Sequence, residues 1–248
     1  NKGLFFSHTS TFNSLNLRHN LLDRFSLTNN ICTSLFKDRT GTLWIGTFNS
    51  GINKIDLYQK KFGLVKSDLP GYHKMTDNFI NRFEEDWKGN IWICTRKGIN
   101  KLNLRDSSLS AFHFLDKYNE DKVNTVVKGH YPHLWVGTDY GLVKFNTETG
   151  EHLRYEMGSN SLTNNVINSL HYDSAKQVLW TGTWGGGLDR FDLKKNTWRN
   201  YSVDKTFASN VVLTIREDND GSLWLGTSGK GLAKFDPQTE QLNFLKST

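Results

Sequence analysis

The heptapeptide Gly41-Thr42-Leu43-Trp44-Ile45-Gly46-Thr47 returns four times in altered form, and that return leaves few folds open to the chain. The later copies are Gly89-Asn90-Ile91-Trp92-Ile93-Cys94-Thr95, His133-Leu134-Trp135-Val136-Gly137-Thr138, Val178-Leu179-Trp180-Thr181-Gly182-Thr183 and Gly221-Ser222-Leu223-Trp224-Leu225-Gly226-Thr227. Successive tryptophans stand 43 to 48 residues apart. Self-similarity at such a period marks a repeat architecture, in which each unit buries its apolar surface against its neighbours.

Each copy is a run of β-branched and aromatic residues, and most follow a polar turn such as Asp38-Arg39-Thr40-Gly41, Asp86-Trp87-Lys88-Gly89 or Asp218-Asn219-Asp220-Gly221. This pattern reads as a strand leaving a hairpin. Apolar runs upstream (31–36, 166–170, 211–215), Gly-led runs downstream (51–56, 141–146, 187–192, 231–236) and a closing aromatic segment (197–201, 241–245) predict four antiparallel strands per unit. Four strands in roughly 40–50 residues is the size of a propeller blade. The expected fold is an all-β β-propeller with five complete blades at about 27–68, 75–116, 121–158, 162–203 and 207–248. Residues 1–20 supply a partial blade, because Lys2-Gly3-Leu4-Phe5-Phe6 and Ser14-Leu15-Asn16-Leu17-Arg18 match third and fourth strands alone. The segment is therefore expected to belong to a larger propeller, since an open sheet edge invites aggregation. The five repeated tryptophans are expected to be buried between neighbouring blades.

A 36% apolar content with 13% aromatic residues suffices for such a core. No apolar run approaches the roughly 18–20 residues of a membrane span, and no stretch reads as a signal peptide. The net charge of +6 is spread along the chain, with Lys60-Lys61 and Lys194-Lys195 in turns between third and fourth strands. These read as scattered surface lysines or as attraction for an acidic partner such as an anionic polysaccharide. No basic run has the density nucleic acid requires, so no nucleic-acid partner is expected. Cys32 and Cys94 read as buried free thiols. His130-Tyr131-Pro132-His133 reads as a surface turn rather than a metal site, and Glu84-Glu85-Asp86 as a strand edge rather than a catalytic carboxylate pair. No catalytic residue, metal or cofactor is expected.

Several segments carry a family resemblance: Leu27-Thr28-Asn29-Asn30 and Ser161-Leu162-Thr163-Asn164-Asn165 before first strands, the Asp-x-x-Gly turn, Leu-Trp-Ile-Gly-Thr, and Gly185-Gly186-Gly187-Leu188-Asp189-Arg190-Phe191-Asp192. Over nearly all of 27–248 the chain resembles the two-component regulator propeller repeat family. The second and third units depart from its pattern, with Met75-Thr76-Asp77-Asn78 for Leu-Thr-Asn-Asn and Lys128-Gly129-His130-Tyr131-Pro132-His133 for the Asp turn. The resemblance implies the periplasmic sensor region of a hybrid two-component system of the kind common in gut Bacteroides. There such repeats precede an immunoglobulin-like domain, one membrane span and a histidine kinase. It further implies an oligosaccharide ligand, possession of the remaining blades and C-terminal domains by the parent chain, and action as a homodimer. No kinase motif lies in this sequence, so the chain itself is read as a non-enzymatic sensor region of an inner-membrane protein. The alternatives are a propeller enzyme acting on glycans, as a lyase or glycosidase, and a protein-interaction scaffold.

Repetition supplies an internal control on which residues recognise a ligand. Positions alike in every unit are explained by building a blade, and the Asn before each first strand is expected to bond backbone groups in a turn. Positions that differ, in loops sharing one face, are free for recognition. The loops from second to third strand read Phe48-Asn49-Ser50, Arg96-Lys97, Asp139-Tyr140, Trp184-Gly185-Gly186 and Ser228-Gly229-Lys230. The candidate ligand-binding residues are Trp184, Tyr140, Asp139, Arg96, Lys97, Asn49, Phe48 and Lys230. Aromatic planes suit the apolar faces of pyranose rings, and the polar groups suit hydroxyls or acidic substituents. Trp184 leads because glycines flank it and the blade demands no aromatic there.

Overall fold

The structure, a computed structural model, describes residues 3–7, 14–21, 26–55, 62–65, 75–114, 121–201 and 210–245. The chain divides into two units, Asn1–Glu120 and Asp121–Thr248. In the first, β1 (Leu4–Ser7) pairs with β2 (Ser14–Leu17). The first blade follows as β3 (Cys32–Lys37), β4 (Leu43–Thr47), β5 (Ile52–Ile55) and β6 (Phe62–Val65), and the second as β7 (Ile80–Glu85), β8 (Ile91–Thr95), β9 (Gly98–Leu102) and β10 (Leu109–Phe112). The second unit holds the third blade, β11 (Val123–Lys128), β12 (His133–Thr138), β13 (Gly141–Asn146) and β14 (His152–Tyr155). Its fourth blade is β15 (Ile167–Asp173), β16 (Val178–Thr183), β17 (Gly187–Asp192) and β18 (Thr197–Asn200). The fifth is β19 (Val212–Glu217), β20 (Leu223–Thr227), β21 (Gly231–Asp236) and β22 (Gln241–Phe244). Every blade is a four-stranded antiparallel meander in sequence order, so the fold is the all-β propeller that the repeat predicts. Lys60-Lys61, and the parts of the expected blades at 1–2, 8–13, 56–61, 66–68, 115–116, 202–203, 207–209 and 246–248, lie outside the described residues.

The repeated tryptophan earns its place twice. Trp44, Trp92, Trp135 and Trp180 are buried. Trp44 packs with Ile80, Phe83, Ile91 and Ile93 of the second blade, and Trp180 with Ile215, Leu223, Leu225 and Phe235 of the fifth. Trp224 departs from expectation: it is half-buried, because no later blade among the described residues covers it. The indole N–H is the second reason. Trp44, Trp92 and Trp224 donate from Nε1 to Oδ2 of Asp38, Asp86 and Asp218 at 2.8, 3.0 and 3.0 Å. In these three blades the aspartate that opens the turn thus holds the tryptophan six residues on. Its other oxygen accepts the turn's own N–H groups, those of Thr40 and Thr42 for Asp38 and of Lys88 and Asn90 for Asp86. In the third blade the hairpin closes without an aspartate, Gly129 N–H donating to the carbonyl of His133 at 3.0 Å.

A cation stands over each tryptophan ring. Lys54, Lys101, Lys144, Arg190 and Lys234 lie 5.4, 5.8, 5.8, 6.0 and 5.4 Å from the ring centroids of Trp44, Trp92, Trp135, Trp180 and Trp224. Part of the basic charge is therefore built into the blade. Of the two cysteines, Cys94 is buried, its thiol pushed well up by burial and held protonated, while Cys32 is half-buried rather than buried.

The glycine of this motif in the first, third and fourth blades lets the next blade approach. A Cβ on Gly137 would stand 2.6 Å from methyls of Ile167 and Thr125, and one on Gly182 would stand 2.7 Å from Cγ1 of Val212. Gly137→Ala is therefore expected to overpack this contact and cost about 1–3 kcal/mol in denaturant unfolding. Stability equal to the parent's would remove the close-approach explanation. Each first strand also carries a bulge at its second residue, between Cys32 and Ser34 and at the equivalent places in the other four. The bulged side chain reaches the next blade: Thr33 Oγ1 donates to the carbonyl of Ile80 at 2.7 Å, Asn124 Nδ2 to Ile167 at 3.0 Å and Asn168 Nδ2 to Val212 at 3.2 Å. Bulges re-aim side chains in this way.

Candidate functional site

The threonine that ends each second strand fixes the loop beyond it. Thr47, Thr95, Thr138, Thr183 and Thr227 each donate from Oγ1 to the carbonyl of the glycine that begins or directly precedes the third strand, at 2.8, 2.9, 2.9, 3.1 and 2.9 Å. Those glycines, Gly51, Gly98, Gly141, Gly187 and Gly231, all have positive φ, between 75° and 120°. Only glycine adopts that backbone freely. Their N–H groups in turn donate to the next linker where both lie in one unit: Gly51 to the carbonyl of Asn78, Gly141 to Asn165 and Gly187 to Asn210, at 3.1, 2.8 and 3.0 Å. Within each unit, loops and linkers therefore share one face. The linker's first Asn or Asp makes the expected turn bond, with Oδ1 of Asn29, Asp77 and Asn164 accepting from the N–H two residues on. The scaffold is the same in every blade, and the residues it presents are not.

In the first unit the structure joins Phe48 and Arg96 through Phe79. The Phe48 ring, 42% exposed, meets Phe79 edge-on at 5.1 Å, and the Arg96 guanidinium lies 3.6 Å above the Phe79 ring. Asn49, at φ 53°, and Lys97 are exposed beside them in sequence. Sequence reasoning missed Phe79. Its signal is an aromatic at a linker position that holds Ile31, Lys122, Val166 and Val211 in the other blades.

In the second unit Asp139 is already engaged: Lys122 Nζ sits 2.8 Å from Oδ2, and Asn124 Nδ2 donates to Oδ1 at 2.7 Å. Tyr140 and Trp184 are 43% and 54% exposed, and Lys230 is exposed. The backbone of Trp184 is fixed, its N–H donating to the carbonyl of Val166 at 2.9 Å and its strand bridging to Val211. A Cβ on Gly185 would meet nothing nearer than Asn164 Nδ2 at 3.8 Å. The indole is thus presented from an ordered backbone with open space beside it, an arrangement suited to stacking on a ring.

A cavity of about 400 Å³ lies elsewhere, between the fourth and fifth blades at the opposite end of their strands. Trp180, Arg190, Arg199, Tyr201, Glu217 and Glu240 line it. Its charged side chains already have partners, Arg199 with Glu240 inside the lining, and Arg190 and Glu217 with Asp192 and His171 outside it. On the loop side of the same unit the Tyr140 and Trp184 rings are exposed instead. Among the described residues no three of His, Cys, Asp and Glu converge as metal ligands. His130 and His133 instead belong to one turn, with His133 N–H donating to the carbonyl of His130 at 2.8 Å.

Meandering four-stranded blades on a common scaffold define a β-propeller. The family model for the two component regulator propeller matches residues 26–49 and 206–229. A protein named histidine kinase P4, from Formosa agariphila, is 28% identical over 56% of the chain. Two solved structures of an extracellular domain from B. thetaiotaomicron, described in one as a one component and in the other as a hybrid two component system, align with TM-scores of 0.68 and 0.58. They are 18% and 23% identical over 100% and 98% of the chain. Virginiamycin B lyase from Staphylococcus aureus, solved with quinupristin, aligns over 87% of the chain and 70% of its own at 16% identity and a TM-score of 0.66. The chain spans 14% of the Formosa protein and 41% and 35% of the B. thetaiotaomicron chains.

Proposed function

We propose that this chain is the ligand-sensing propeller region of a hybrid two-component sensor histidine kinase. It lies in the periplasm as part of an inner-membrane protein, binds an oligosaccharide on its loop face and passes the signal to a kinase elsewhere in the parent. The parent contributes further blades and C-terminal domains and acts as a homodimer. The family repeats, a histidine kinase among the relatives and extracellular sensor domains among the structural neighbours support this setting. The observation that carries ligand binding is Trp184: a 54% exposed indole on a backbone held at Val166 and Val211, at a place where other blades have Phe48, Arg96 and Ser228. An exposed indole held on an ordered backbone supports stacking on the apolar face of a sugar ring. Arg96 and Lys97 give the loops of the first unit, and Lys230 those of the second, a basic character suited to a ligand with acidic groups.

Titration calorimetry of Trp184→Ala with the oligosaccharide that the parent chain binds tests the assignment. Binding weakened at least tenfold with an unchanged melting temperature is expected, since the ring carries little folding energy. Unaltered affinity would take Trp184 out of the site.

A further inference from the structure

Two residues after the positive-φ glycine at the start of the third strand stand Asn53, Asn100, Val143, Asp189 and Ala233 in the five blades. The two asparagines clamp the linker threonine in the same way. Oδ1 accepts the N–H of Thr28 or Thr76 at 3.0 Å, and Nδ2 donates to that threonine's Oγ1 at 2.8 or 2.7 Å. The threonine hydroxyl is then free to turn to Thr47 or Thr95, at 3.1 and 2.7 Å.

In the fourth blade a carboxyl group takes the amide's place. Asp189 is fully buried; Oδ2 accepts the N–H of Thr163 at 2.9 Å, and Oδ1 accepts Asn200 Nδ2 at 3.0 Å. The Thr163 hydroxyl lies 2.8 and 3.0 Å from the two carboxyl oxygens and 3.0 Å from the carbonyl of Gly186. One hydroxyl has one proton to give, and two acceptors compete for it. We propose that Asp189 positions the Trp184-Gly185-Gly186 loop through Thr163, and that this positioning is proton-dependent. When Asp189 is ionised it accepts only, so the Thr163 hydroxyl donates to it and the Gly186 carbonyl loses its donor. When Asp189 takes up one proton from solvent, its own O–H donates to Thr163 Oγ1, as the amides of Asn53 and Asn100 do. The Thr163 proton then turns to Gly186 and fastens the loop. No covalent bond changes besides the O–H formed on Asp189.

The surroundings favour the protonated form. β16 presents Thr181 and Thr183, β18 presents Asn200, the linker presents Thr163, and the loop presents its carbonyl. From the third blade the ionisable side chain of Tyr155 packs on Phe191, two residues along β17, and burial pushes its phenol up, so it stays neutral. Thr181, the cross-strand partner of Asp189, has a buried hydroxyl with no hydrogen-bond partner among the described residues. Burial outweighs the hydrogen bonds from the Thr163 backbone, Asn200 and the Thr163 hydroxyl, and Asp189 is pushed up to about 6. A carboxyl raised above its unfolded value binds its proton more tightly when folded, so this stabilisation is complete below about pH 4 and is lost as pH rises through about 6. The device is independent of whether Trp184 meets a sugar.

Thermal unfolding of the chain between pH 4.5 and 8, for the parent and Asp189→Asn, tests it alongside the Trp184 fluorescence obtained as the parent minus Trp184→Phe spectrum. The distance between 3.8 and about 6 corresponds to about a hundredfold in the folding constant. The parent is expected to lose up to that much stability relative to Asp189→Asn as pH rises, and its Trp184 signal is expected to titrate near 6. In Asp189→Asn and Thr163→Val the Trp184 titration is expected to vanish. A parent Trp184 signal that is flat from pH 4.5 to 8 overturns the proposal without recourse to a variant. So does a titration that survives in Asp189→Asn, where a histidine would be its source.

Discussion

Replacing Trp135 with alanine is expected to cost about 3–5 kcal/mol, as truncation of a large aromatic in a closed core does. The ring is 1% exposed and sits among Leu142, Leu162, Ile167, Leu170, Leu179 and Phe191. It stands 5.8 Å from Tyr155 and 6.0 Å, edge-on, from Phe191. Its neighbours come from two blades, so the cavity cannot close by the movement of one side chain. Urea unfolding, followed through the transition of the Asp121–Thr248 unit, measures the loss. Trp224→Ala should lose less, since that ring is half-exposed. If Trp135→Ala unfolded with the parent, the tryptophans would not be the packing elements described.

Asp86→Ala is expected to be nearly as damaging, at about 3–5 kcal/mol. The buried carboxylate accepts from Lys88 N, Asn90 N, Asn90 Nδ2 and Trp92 Nε1 at 2.8, 2.9, 2.9 and 3.0 Å. Removing it strands several buried donors, each costing about 1–3 kcal/mol. Burial alone would raise the carboxyl, but the hydrogen bonds from Asn90, Trp92 and Lys88 outweigh it and hold Asp86 below its ordinary value. Asp38 is held down likewise by Thr40, Trp44 and Thr42. For a depressed carboxyl the stabilisation is present above the unfolded value of 3.8 and is lost as pH falls through the folded one. Stability of the parent relative to Asp86→Asn should therefore shrink below about pH 4 in acid titrations. A difference independent of pH would mean that the carboxylate does not carry these bonds.

The blades were legible because their signals are local. Alternating apolar residues, Asp-x-x-Gly turns and glycines that need positive φ specify hairpins within a dozen residues, and the period counts the blades. The variable loops were legible for the same reason, since Thr47, Gly51 and their equivalents are repeated and what stands between them is not. Pairings made across strands or blades were not legible. Asp86 is plainly a turn residue, but its bond to Trp92 depends on the register of β8. Asn124 shows no sign in the sequence of reaching Ile167, which lies in the next blade, nor of holding Asp139. Lys144 looks like a surface lysine until β12 brings Trp135 beneath it. Phe79 required knowing that a linker residue stands between the loops of two consecutive blades. The expectation that all five tryptophans are buried extended the repeat to Trp224, where no further blade is described to cover it.

Incubating the purified chain with a library of plant and host oligosaccharides, acidic members included, tests the central claim most directly, with binding followed by calorimetry and each bound glycan then examined by mass spectrometry. The account predicts at least one oligosaccharide that binds, that competes for the Trp184 loop face and that is recovered intact. Recovery of cleaved or eliminated product would make this propeller an enzyme, and a library without a single binder would contradict its reading as an oligosaccharide sensor.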